Sequence, residues 1–66
     1  VEAWYVYSTK EVPYVYWSCS KQDWVPWIAG DEAEAFYTKT SAEEVAFSLA
    51  MQMPLLAQEI GVLRRA

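Results

Sequence analysis

Early in the chain the aromatic residues are sorted by parity. Trp4 and Val6 alternate with Tyr5 and Tyr7, and Val15 and Trp17 alternate with Tyr14 and Tyr16. In extended chain, successive side chains point to opposite faces. Two strands over 3–8 and 13–19, joined by a tight turn at Lys10-Glu11, therefore set Trp4 opposite Trp17, Val6 opposite Val15, Tyr5 opposite Tyr16 and Tyr7 opposite Tyr14. One face of that hairpin is dry. The other carries four phenols whose hydroxyls require water or a partner, so the pattern predicts an antiparallel sheet with two chemically distinct sides.

The turn residues 20–23 lead into Trp24-Val25-Pro26-Trp27-Ile28, read as a third strand over 24–28. It sets Trp24 against Cys19, Trp27 against Tyr16 and Ile28 against Val15. Pro26 has no N–H to give to a ladder, which places this strand at an edge. Gly30 and Asp31 break the β pattern, and Asp31 is positioned to cap a helical turn through residues 32–36. Ser41 followed by Glu44, or Thr40 followed by Glu43, forms a capping box for a main helix over 41–53. Its stripe is Ala42, Val45, Ala46, Leu49, Ala50 and Met53, which suits the Trp/Val side of the sheet, while Phe47 and Met51 lie off the stripe. Pro54 ends the helix. Leu55, Leu56, Ile60 and Leu63 continue at helical spacing, which predicts a short C-terminal helix over 55–64. The expected class is α+β: a two- to three-stranded antiparallel meander, one main helix and a short terminal helix, in one domain over 1–66.

A chain of 66 residues hides only about 60% of the surface its unfolded form exposes, so it needs reinforcement. The one cysteine and the absence of histidine exclude an internal disulfide and any ordinary metal constellation. Aromatic packing and self-association remain, with a homo-oligomer, a dimer in the first instance, as the expected state. No apolar run approaches the roughly 18 residues of a membrane span. A lone thiol and the lack of a leader-like opening point to the cytoplasm.

Familiar catalysis requires a base beside a nucleophile, and no histidine supplies one. Cys19, placed by alternation on the Trp/Val side, is expected to be a buried and inert thiol. The carboxylates Glu43 and Glu44 read as a solvated helix start, and with glycine only at Gly30 and Gly61 no phosphate loop exists. The chain is therefore expected to be non-enzymatic and to need no cofactor. A net charge of −4 argues against direct contact with nucleic acid, which requires clustered Lys and Arg.

The candidate binding residues are Tyr5, Tyr7, Tyr14, Tyr16 and Trp27 on the phenol side, together with the acids Asp31, Glu32, Glu34, Glu43 and Glu44. Tyr and Trp are enriched at interface hot spots because one end is apolar and the other wet. The acids mimic the charge of a polyanion facing a basic groove, or simply complement helix dipoles. One helix covers one sheet face, so the phenol side is expected to be covered by the C-terminal segment, by another copy or by a different partner.

Trp27, the run Asp31-Glu32-Ala33-Glu34-Ala35-Phe36 and the run Thr40-Ser41-Ala42-Glu43-Glu44-Val45-Ala46 together resemble a pattern in small uncharacterised phage and prophage proteins. In these, a hairpin ending in an aromatic residue precedes an acidic Ala-rich turn and a capped helix. The resemblance spans about half of the chain and implies a compact acidic inhibitor of a host or defence protein. The alternatives are an oligomer that sequesters a small molecule or nucleotide on stacked aromatics, or a purely self-associating structural subunit.

Overall fold

The computed structural model describes residues 3–27 and 32–65. Three strands, β1 (Ala3–Ser8), β2 (Val15–Ser18) and β3 (Asp23–Pro26), precede helix α1 (Lys39–Gln52). A 3-10 helix, Pro54–Glu59, and a last strand, β4 (Ile60–Arg65), follow it. The sheet is antiparallel throughout, in the order β3-β2-β1-β4. The α+β class is as expected. Among the described residues no helix is long and apolar enough to cross a membrane.

The expected C-terminal helix over 55–64 is overturned. Its first part is a 3-10 helix and its second part is β4, which pairs with β1 from Ser8↔Ile60 to Ala3↔Arg65. Helical spacing of Leu55, Leu56, Ile60 and Leu63 competes with the alternation of Ile60, Gly61, Val62 and Leu63. A short apolar run fits either period, and the open side of β1 decides for the strand. β1 is thus a central strand, not one arm of an isolated hairpin.

Both expected registers are shifted by two residues, which preserves every face assignment. Tyr7 pairs with Tyr16 and Ser8 with Val15, in place of Tyr7 with Tyr14. Pro13 is the cause: in the expected register it stands opposite Ser8, whose main chain faces β2, and it has no N–H to donate. Val15 takes that position, and Pro13, joined to Val12 by a cis peptide bond, lies in the connecting loop. In the second hairpin Trp17 pairs with Trp24, Tyr16 with Val25 and Val15 with Pro26. Trp17 directs its carbonyl toward the β1 side, where Glu34 N–H reaches it at 2.9 Å. Val15↔Pro26 is therefore a non-hydrogen-bonded pair, and the missing proline N–H leaves the ladder intact.

This shift moves Cys19 out of the sheet. It lies exposed in the turn after Ser18, which corrects the expected core cysteine. Ser18 is buried in its stead; its Oγ accepts from Lys21 N–H at 3.4 Å and shares a hydrogen bond with Ser20 Oγ at 3.2 Å. Gln22 completes the turn with φ of 50°.

β1 and β2 pair only at Tyr7 and Ser8 and then splay apart. Residues 34–36 fill the wedge. Phe36 exchanges both main-chain hydrogen bonds with Trp4, at 2.7 and 2.9 Å, while Glu34 takes the Trp17 carbonyl. The polar backbone exposed by the divergence is thereby satisfied. This segment is a bridge between strands, not the expected helical turn; Asp31, Gly30 and Ile28 lie outside the described residues.

The main core lies on the Trp/Val side. Val6, Ala42 and Leu49 are buried at its centre, ringed by Trp4, Trp17, Trp24, Phe36, Val45, Ala46, Met53, Ile60 and Val62. Small alanines on α1 let the helix approach the bulky indoles, which matches volumes across the layer. The helix begins two residues before the expected 41–53, because Thr38 is its cap: Thr38 Oγ1 accepts from Ser41 N–H at 3.2 Å. Phe47 and Met51 point outward, as their position off the stripe requires.

Candidate functional site: the phenol face of the sheet

The side of the sheet away from α1 holds a second, smaller cluster. Tyr16, Val25 and Ala33 are buried, with Tyr5, Tyr7, Trp27 and Leu63 packed around them. Strand alternation puts these groups together. Tyr5 and Tyr7 come from β1, Tyr16 from β2 and Val25 from β3, while Leu63 and Arg65 come from β4 opposite Tyr5 and Ala3. Trp27 follows the end of β3.

The rings are organised in two groups. Trp27 meets Tyr5 edge to face at 5.2 Å and Tyr16 at a tilted 4.8 Å, and Tyr5 meets Tyr16 edge to face at 6.4 Å. Tyr7 and Tyr14 stack at 5.4 Å with planes 16° apart. Such ring pairs contribute about 0.5–1.5 kcal/mol each beyond area burial. The Arg65 guanidinium lies 4.0 Å above Trp27, and its Nη1 donates to Tyr16 Oη at 3.2 Å. Arg65 thus places a positive charge on this aromatic surface.

The five aromatic candidates are brought together, but with unequal access. Tyr16 is only 5% exposed, closed over by Trp27, Arg65 and Ala33, so it is a floor residue and not a contact. Tyr5, Tyr7 and Trp27 are half-buried, and Tyr14 is exposed. The acids do not join them. Glu43 and Glu44 are exposed on α1, across the sheet from the phenols, and fall after its first turn. Glu32 forms an ion pair with Lys21, and its carboxylate holds the Lys21 ammonium above its ordinary pKa. Glu34 is half-buried in the wedge, and Asp31 lies outside the described residues. The acidic run therefore divides.

Leu63 and Arg65 are members of the site that residue spacing alone missed. Their signal was present in Ile60-Gly61-Val62-Leu63-Arg64-Arg65, where odd positions share one side once the segment is extended. Among the described residues the C-terminal segment adds β4 beside β1 and so widens the phenol face at one edge instead of lying across it, which removes one of the three alternatives for its cover.

On the helix side, a groove of about 550 Å³ opens between α1 and the second hairpin, lined by Trp17, Trp24, Val45, Leu49 and Met53 with Gln22, Asp23, Ser48 and Gln52 at its polar margin. Trp17 and Trp24 meet edge to face at 5.3 Å within it. Trp4 lies near two cations, Lys39 Nζ at 5.8 Å and the Arg64 guanidinium at 5.9 Å.

The Cys19 thiol is pushed above its ordinary pKa, first by partial burial and then by the Glu34 carboxylate nearby. Exposed yet held protonated, it is a poor nucleophile at neutral pH. No protein-family model, curated protein or solved structure matches this chain.

Proposed function

We propose that this protein is a non-enzymatic binding module whose phenol face docks on a larger protein and blocks it, in the manner of a phage-encoded inhibitor. One observation carries the reading: Tyr5, Tyr7, Tyr14, Trp27, Leu63 and Arg65 share a sheet face over which no described helix packs. Tyr, Trp and Arg are the residue types that dominate binding hot spots. The ring contacts hold the face in shape before binding, which reduces the side-chain ordering that association requires. An acidic chain with a cation on its contact face favours a partner that offers apolar pockets beside hydrogen-bond acceptors.

The test is capture from host lysate followed by two double variants. Tyr5→Ala with Tyr14→Ala should abolish the specific partner while the circular dichroism spectrum stays native, and Glu43→Gln with Glu44→Gln on the opposite side should leave capture intact. Retention by the first pair and loss by the second would move the contact to the helix.

The helix-side groove supports a second reading, a protein that sequesters a small molecule or nucleotide. Its volume of about 550 Å³ falls within the roughly 300–1,000 Å³ of ligand pockets. A ligand held there raises the melting temperature as its concentration passes its dissociation constant; a screen of nucleotides that leaves the melting temperature unmoved removes the nucleotide form of this reading.

A further inference from the structure

The two edges of the sheet are built differently. β3 is four residues long, opens on the exposed Asp23 and ends on Pro26, features that discourage strand addition. β4 is six residues long and has neither proline nor charge before Arg64. In an antiparallel ladder, alternate residues direct both main-chain groups to the same neighbour. Thr9 N–H donates to the Glu59 carbonyl at 2.9 Å, and with Tyr7↔Gly61 and Tyr5↔Leu63 in register this identifies the odd-numbered residues as those bonded to β1. Val62 therefore directs both N–H and C=O away from the sheet, along an edge that no described strand occupies, while the Ile60 N–H closes the last turn of the 3-10 helix and only its C=O joins that edge.

The geometry points to a second copy of this chain as the occupant, its β4 pairing antiparallel with this one about a two-fold axis at Val62. Charge complementarity selects that occupant and that register. With Val62 facing Val62 of the second copy, Gly61 falls opposite Leu63 and Glu59 opposite Arg65. Centring on Gly61 instead sets Glu59 against Leu63. Within one chain Glu59 Oε2 is buried without a hydrogen-bond partner, and Arg65 is held by an indole and a phenol, not by a carboxylate. The two-fold axis makes the Glu59–Arg65 contact twice, since an isologous interface repeats each pair. Two four-stranded sheets then become one, with both phenol faces on the same side. The pairing goes beyond the binding role proposed above and stands without it.

Sedimentation equilibrium on the full chain, prepared by chemical synthesis, tests the pairing directly. The wild type should have twice the mass of one chain. N-methylation of the Val62 amide removes an outward donor and leaves every hydrogen bond to β1, and it should yield a monomer with native circular dichroism. Arg65→Glu should weaken the dimer about tenfold or more by opposing like charges across the strands, and adding Glu59→Arg to it should restore assembly. The charge reversal alters no main-chain group, so it decides the matter even where the N-methylated chain fails to fold. A wild-type mass of one chain overturns the proposal. So does a dimer indifferent to N-methylation, which would use another surface, or a doubly reversed chain no tighter than Arg65→Glu alone.

Discussion

The Tyr7 ring lies directly across Gly61 on the neighbouring strand. A Cβ at position 61 would stand 2.7 Å from both Tyr7 Cζ and Oη, closer than any real contact, so the glycine is what allows that ring to lie flat and stack on Tyr14. Gly61→Ala should displace the ring, loosen the Tyr7–Tyr14 stack and destabilise the fold by about 1 kcal/mol or more through overpacking. In a Tyr7→Ala background the obstacle is gone. There the same substitution should stabilise by about 0.5–1 kcal/mol, because alanine loses less backbone entropy than glycine in a strand. Urea midpoints for the four chains of this cycle measure the reversal; an unchanged sign would mean that the ring is not in contact with position 61.

Helix α1 offers a sharp test of its own start. Thr38 accepts from Ser41 N–H at 3.2 Å and donates to Ser41 Oγ at 2.9 Å. Thr38→Ala should cost about 1 kcal/mol of stability, read as a fall in the urea midpoint with unchanged slope. Thr40→Ala, at an exposed position inside the first turn, should move the midpoint much less. Equal losses at both positions would return the cap to the site that the Thr40–Glu43 spacing suggests.

Alkylation of Cys19 should be slow at neutral pH despite its exposure. Burial first, and the Glu34 carboxylate second, raise its pKa above the ordinary 9.0, so the rate of reaction with iodoacetamide should climb with pH to a midpoint above that value. Glu34→Gln removes the anionic neighbour and should shift the midpoint downward. A midpoint at or below 9.0 in the wild-type chain would show that neither influence reaches the thiol.

The candidate site was legible in its aromatic half and not in its acidic half. Tyr5, Tyr7 and Tyr16 share a side because each occupies the matching parity of its strand, a local property, and Tyr14 and Trp27, just outside β2 and β3, join them through ring contacts. Glu43 and Glu44 were grouped with them by composition alone, and the helix carries those two to the opposite side of the sheet. The burial of Tyr16 beneath Arg65 joins residues 49 apart in the chain. No local pattern contains that contact.

What the amino-acid order determined by itself was which residues share a side: Trp4, Val6, Trp17 and Trp24 on one, Tyr5, Tyr7, Tyr16 and Trp27 on the other, and the stripe of α1 facing the former. Those assignments follow from periods of two and 3.6 residues and survive any shift of strand pairing by an even number of positions. Tertiary structure alone decided the rest. The pairing depends on which backbone donors meet across strands, so Pro13 moved it by two. The strand at Ile60–Arg65 exists because β1 had an unpaired flank to offer a segment that, read locally, fits a helix as well as an extended chain.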